Sequence, residues 1–193
     1  IFVSGRGRTR PGIKLKSNRP YSIEKFEIVS EEEFTYPQIW NTDRGYFHFF
    51  TKYTGVRELY FEISVDGLAW SGDIKLAGIP SGRDSLAGHY QLSNIYNGGK
   101  IIGTFFNRHI NGHPDARTDL YYVETRDLGN TWLSVTGDSL EIPVDEIVSN
   151  ARVKDYFSEN KYEFLYRKNT RNLLFYAELI EKDSIISKNI FYF

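Results

Sequence analysis

The sequence has no cysteine, no methionine and only six prolines. The missing cysteine excludes disulfides and thiolate metal sites but leaves the compartment open. The missing methionine, in a chain that opens IFVSGRGRTR, points to a processed protein or a fragment, and no signal peptide is visible. No apolar run comes near 18 residues, which excludes a helical membrane span. Excess charge is missing too: 24 Lys and Arg against 25 Asp and Glu give a formal net charge of -1, so nothing favours nucleic acid or an anionic membrane as a partner. Neither G-x-G-x-x-G nor G-x-x-x-x-G-K occurs, so no phosphate-cradling loop and no cofactor is expected. A sustained helical period is also lacking; EIPVDEIVSNARV allows one short helix at best.

What is present is aromatic. Aromatics make up 16% of the 193 residues, with 14 Tyr and 14 Phe, a load that favours strands, on a length that suits one domain with a sizeable core. The chain also repeats itself. RELYFEIS, TDLYYVET and NLLFYAEL superpose so that Ser64, Thr125 and Leu179 share a column, and PGIKLKSNRP adds a weaker copy at Ser17. Each copy pairs one aromatic-rich strand with a second and then turns. The spacing predicts residues 45–52, 99–106 and 161–168 antiparallel to 57–64, 118–125 and 173–180. The fold class is therefore all-β, and unequal repeats around a constant core fit a β-propeller segment of three to four blades, at about 1–30 (partial), 31–80, 81–145 and 146–193, in a single partial domain. A two-sheet sandwich is the alternative.

TRDLGNTW, residues 125–132, follows the second strand of one copy. Gly129 supplies a positive φ, Asp127 accepts from turn N–H groups, Thr125 and Thr131 add side-chain bonds, and Trp132 buries its ring between blades. This T-x-D-x-G-x-T-W frame resembles the Asp-box, the bacterial neuraminidase repeat, which implies a hairpin turn between the third and fourth strands of a blade. SVDGLAW, with Ser64, Asp66, Gly67 and Trp70, looks like a second copy. Both acids read as structural rather than catalytic.

A wider resemblance runs from about residue 11 to residue 135. FTYPQIWNTDRGYFHFFTK, GHYQLSNIYNGGKIIGTFF and RTDLYYVETRDLGNTW are similar to the propeller family that includes ulvan-type polysaccharide lyases. The resemblance implies an acidic polysaccharide as partner, a secreted or periplasmic location, and seven blades in all. It also implies a Tyr facing the active centre, a cation ending the next strand to neutralise the substrate carboxylate, and a Tyr opening the following blade. Tyr36 and Tyr90 match the tyrosines, and Lys52 falls near the cation, where an Arg is expected. A lysine there is a point charge without a bidentate grip. The lyase histidines would lie in blades N-terminal to this segment.

His89, beside Tyr90, is a candidate for substrate contact or proton transfer, against a loop histidine bonded locally. NRHINGHPDAR holds Arg108, His109, His113, Asp115 and Arg117 between two strands; it reads as a polar lip for an acidic glycan or as a solvated loop, and no metal site is expected because Gly112 and Pro114 break the helix that H-x-x-x-H needs. Arg83, with Asp84, is placed at the channel mouth. Arg167 ends a strand and either reaches the channel or forms a hairpin salt bridge. Two other readings stay open: a sialidase-like hydrolase, which requires an Arg triad and a Tyr–Glu nucleophile pair, and a non-catalytic glycan-binding or scaffold propeller.

Overall fold

The computed structural model describes residues 1–5, 10–82, 85–159, 162–167, 174–181 and 184–192. Nearly all regular structure is antiparallel strand. The first sheet runs β1 (Phe2–Ser4), β2 (Gly12–Ser17), β3 (Phe26–Glu32). The second runs β4 (Thr35–Thr42), β5 (Gly45–Tyr53), β6 (Arg57–Ser64), β7 (Ile74–Ala77). A small pair, β8 (Pro80–Gly82) and β9 (Ser85–Leu86), leads to the third sheet: β10 (Gln91–Tyr96), β11 (Ile101–His109), β12 (Arg117–Thr125), β13 (Trp132–Leu133) and β14 (Ser139–Leu140), with β15 (Arg152–Lys154) also paired to β12. The fourth sheet is β16 (Tyr162–Arg167), β17 (Leu174–Glu181) and β18 (Ser184–Tyr192). Successive up-and-down sheets, each built from neighbouring strands in chain order, make this a β-propeller segment. No helix among the described residues is long and apolar enough to cross a membrane.

The three hairpins expected from the repeat are antiparallel, at 45–53 with 57–64, 101–109 with 117–125, and 162–167 with 174–181. The second differs from its expected span. A bulge between Phe106 and Arg108 lets β11 continue to His109, which pairs with Arg117. Arg108 and His109 are thus strand residues rather than parts of a loop, and only a 3₁₀ turn, Ile110–Gly112, and the residues after it separate the strands.

Alternation in the strands sorts side chains to two faces. In β5, Phe47 and Phe49 face the third sheet and meet Trp132, while His48 and Phe50 face the first and meet Phe34. Trp132 is 2% exposed and lies 5.1 Å from the Phe61 ring. The turn before it closes as its residue types require. Asp127 accepts from the Thr131 backbone N–H (2.9 Å) and hydroxyl (2.7 Å), and Thr125 Oγ1 accepts from the Gly129 N–H at 2.7 Å. Gly129 has φ +86, and a Cβ there would lie 2.7 Å from Phe61. Asp66 holds the shorter turn in the same way, accepting from the N–H groups of Leu68 and Ala69, and Gly67 donates to Ser64 Oγ at 2.8 Å. Trp70 turns to the first sheet, with the Lys14 ammonium 4.7 Å from its ring.

Side chains stitch the innermost strands. Trp40 donates to Ser93 Oγ at 2.8 Å, and Gln38 Oε1 accepts from the Ser93 N–H at 2.7 Å, so β4 and β10 are fixed side by side. This seam sets the spacing of the residues at the strand ends.

Candidate functional site

The first turns of β4, β6 and β10 and the last of β11 lie at one end of the sheets. There the chain assembles Tyr36, Arg57, Tyr90, His109 and Arg117. Tyr36 follows Thr35, which is pinned to Thr51 by a 2.6 Å hydroxyl pair. The pairing then jumps from Thr35 with Thr51 to Gln38 with Phe49, and Tyr36 takes φ 51 inside that bulge, leaving it 49% exposed. Tyr90 is held by a backbone exchange with Asn107: its N–H donates to Asn107 Oδ1 and its carbonyl accepts from the Asn107 N–H, both at 3.2 Å. The His89 N–H donates to the Arg57 carbonyl at 2.9 Å, which brings the β5–β6 hairpin against Tyr90.

The two tyrosine rings meet edge to face at 5.4 Å. The Arg57 guanidinium lies 5.3 Å from the Tyr36 ring and 5.4 Å from the Tyr90 ring. No carboxylate pairs with Arg57 among the described residues. Arg117 lies 4.9 Å from the Tyr90 ring on another side, and its Nε donates to the Pro114 carbonyl at 2.7 Å. The His109 ring is 4.7 Å from Tyr90, and its Nε2 is buried without a hydrogen-bond partner. Burial, with His89, Arg117 and Arg57 nearby, pushes the His109 imidazole down to about 3, so it is neutral at ordinary pH. Burial and a hydrogen bond to Tyr36 raise Tyr90, so its phenol keeps its proton. The end of the channel therefore holds an available guanidinium between two phenols, with a neutral imidazole behind one of them.

Of the residues nominated from sequence, Tyr36 and Tyr90 come together and His109 joins them. Lys52 does not. It shares the His48–Phe50 face of β5, is paired with Asp73 and lies 5.8 Å from the Tyr60 ring. His89 is also displaced from this cluster: it is fully buried, its Nδ1 sits 2.8 Å from the Asn107 carbonyl, and its Nε2 accepts from the Ile79 N–H at 3.2 Å. Both ring nitrogens are occupied by backbone, and burial holds its pKa near about 4. Arg108 is likewise internal, donating from Nε to buried Asp119 at 2.7 Å. Arg83 lies outside the described residues. Arg167 ends β16, and its side chain is outside the description. Arg57 was missed by sequence reading, which looked for the cation at the end of a strand; it stands just past the turn, at the start of the next one.

Two other polar groups bear on the chemistry. Glu32, Glu62 and Asp73 place carboxylate oxygens within 4.8 Å of one another, a metal-like grouping. The chain's own cations fill it: Lys14 binds Glu32 and Glu62, and Lys52 binds Asp73. Tyr96 and Tyr122 both donate to Glu124, an arrangement that approaches a Tyr–Glu pair. Burial raises both tyrosines, the opposite of an activated nucleophile, and Arg126 already binds Glu124 at 2.7 Å.

No family model and no curated protein matches the sequence. Solved structures do match it. An ulvan lyase of polysaccharide lyase family PL25 aligns with TM-score 0.71 and 17% identity over 97% of this chain and 49% of its own. The same kind of lyase bound to -[GlcA(1-4)Rha3S]- aligns with TM-score 0.70 and 16% identity over the same shares. The polysaccharide lyase Uly1 aligns with TM-score 0.61 and 16% identity over 83% of this chain and 38% of its own. At these identities the likeness is one of fold, and the chain spans about half the length of the two PL25 structures.

Proposed function

We propose that the protein cleaves a uronate-containing acidic polysaccharide by β-elimination, as a polysaccharide lyase. The observation that carries this reading is Arg57 held between Tyr36 and Tyr90 without a carboxylate partner among the described residues. Arg57 binds the uronate carboxylate through its planar fork and stabilises the charge that develops when the adjacent carbon is deprotonated. Tyr36, the exposed phenol beside that cation, takes the C5 proton as general base. The electron pair forms the C4–C5 double bond and the C4–O bond breaks. Tyr90, kept protonated, returns a proton to the leaving oxygen, and the neutral His109 supports its orientation. The Asp127 turn and the shorter Asp66 turn take the structural role of Asp-boxes in this reading. A polysaccharide of this kind is met outside the cytoplasm, so we place the protein as secreted or periplasmic. The sialidase-like alternative has no comparable support, since the shared Glu124 carboxylate is bound by Arg126 and both its tyrosines are raised.

The test is to incubate the full-length protein with a glucuronate-containing polysaccharide and follow the ultraviolet absorbance of the unsaturated product. Arg57→Ala and Tyr36→Phe should each lose about a hundredfold or more in rate, and Lys52→Ala should lose little. A wild-type rate in Arg57→Ala overturns the assignment. Binding without turnover in any form establishes a binding module instead.

A further inference from the structure

The opposite end of the same sheets carries a second feature. A groove of about 570 Å³ lies between the first and second sheets, lined by Lys16, Pro20, Tyr21, Ile39, Asn41 and Tyr46, among others. Its place follows from the strands. Tyr36 opens β4, whereas Asn41 is near its far end, five residues on; at about 3.3 Å per residue the two are separated by about 16 Å. Trp40 and Gln38 point to the third sheet, so alternation sends Ile39 and Asn41 to the first. The groove is therefore distinct from the cluster around Arg57.

Its most informative residue is Tyr21. Six non-glycine residues among those described have positive φ, and they are Tyr21, Tyr36, Asn97, Asn111, Asp119 and Leu128. Asn and Asp enter this region readily; a tyrosine does so at a cost. Tyr36 bears that cost inside the site already described. Tyr21, at φ 60, is fully exposed, so its ring contributes no burial within the chain to offset the strain. A ring held against its backbone preference, beside a groove and buried against nothing, is placed for a contact outside the chain.

The rest of the groove states what that contact is. Tyr46 packs at the Gly67 turn and, with Pro20 and Ile39, gives apolar surface. The Asn41 amide is exposed and makes no hydrogen bond among the described residues. Lys16 spends one N–H on the Asp66 carbonyl at 2.8 Å, which fixes the ammonium at the rim and leaves two donors. Tyrosine faces take the C–H surface of a sugar ring, an amide pairs with hydroxyls as both donor and acceptor, and a fixed ammonium takes a carboxylate or sulfate. The volume falls within the range of small-ligand sites. From this we infer a second saccharide-binding site, taking a short stretch of an acidic glycan on Tyr21, Asn41 and Lys16, away from the Tyr36–Arg57–Tyr90 end. The class of ligand rests on the reading under Proposed function; the existence of the site does not. Two sites on one polymer chain raise affinity for long chains by making the second contact intramolecular, with little effect on short ones.

The experiment titrates a glucuronate–rhamnose 3-sulfate tetrasaccharide into full-length protein by calorimetry, using Arg57→Ala to silence the first site. The expected result is residual binding in Arg57→Ala that weakens tenfold or more in Arg57→Ala/Tyr21→Ala, and that also falls with Lys16→Ala. The Tyr21→Ala single variant should keep its thermal midpoint, since the ring is fully exposed, and keep its rate on the tetrasaccharide while its affinity for the polymer falls. No residual binding in Arg57→Ala, or equal binding in the single and double variants, overturns the second site. Absence of unsaturated product from every form, with Tyr21-dependent binding intact, overturns only the lyase reading.

Discussion

Replacing Trp132 by alanine removes a buried ring that packs between the second and third sheets. The ring is 2% exposed and meets three phenylalanines, Phe61 at 5.1 Å, Phe47 at 6.2 Å and Phe49 at 6.3 Å. An indole buries about 150–250 Å², worth about 4–6 kcal/mol at about 25 cal/mol per Å². Its Nε1 is buried without a partner, so deletion also relieves a desolvation penalty of about 1–3 kcal/mol. The net cost is then about 3 kcal/mol, the lower end of the range for core Trp truncations, about 3–5 kcal/mol. With a urea slope of about 2 kcal/mol per molar, the unfolding midpoint should fall by about 1.5 M. Far-UV circular dichroism is the right probe, because fluorescence would change with the loss of one of only three tryptophans. A loss below about 1 kcal/mol, the size of an ordinary surface-to-core average, refutes the packing argument.

Three further outcomes are expected. Gly129→Ala combines a φ of +86 with a Cβ 2.7 Å from Phe61, whereas Gly137→Ala has φ +87 and open space; the first should cost about 1–3 kcal/mol more than the second, and equal costs in chemical denaturation would show that the ring gives way freely. His89 is held neutral to about 4 while an unfolded histidine titrates near about 6.5, so the unfolded state gains a proton first as pH falls. Its contribution is fully present above about 6.5 and declines toward about 4 at up to about 1.4 kcal/mol per pH unit; His89→Gln should flatten the stability profile in that window, and an unchanged slope contradicts the burial argument. Arg57→Lys should restore less than a tenth of the rate lost in Arg57→Ala, because a point charge does not reproduce a two-pronged grip on a carboxylate; full rescue by lysine rejects that grip.

The repeat was legible because strands write their pattern locally. RELYFEIS buries Phe61 and half-buries Tyr60, TDLYYVET buries both Tyr121 and Tyr122, one on Phe106 and the other on Phe105, and a turn with Gly129 and Asp127 has few other uses. Tyr36 and Tyr90 were nominated through the family resemblance, and that their rings meet follows from their opening successive blades. The cation was not legible. Arg57 reaches the tyrosines only because the β5–β6 register carries the chain around a turn and the His89 N–H docks on its carbonyl, a contact 32 positions away that no local pattern announces. His89 misled for the converse reason: its neighbour Tyr90 faces the channel, so its own ring is sent inward, where backbone groups of Ile79 and Asn107 take both nitrogens. Arg108 and His109 show the effect of one extra residue. The bulge at Asn107 separates a strand that would otherwise end in a polar loop from one that carries His109 to the site and buries Arg108 on Asp119.

The two seams flanking the second sheet are built from different materials. Toward the third sheet the joint is a stack of Trp132, Phe47, Phe49 and Phe61; toward the first it is Lys14, fully buried, clasped by Glu32 and Glu62 with His48 beside them. An oily joint tightens on modest warming and ignores protons, whereas a buried ammonium keeps its place only while its carboxylates stay ionised. The propeller thus has a direction of failure. Acid should part the first and second sheets at Lys14, and the Tyr36–Arg57–Tyr90 end, riding on the hydrocarbon joint between the second and third, should outlast that opening.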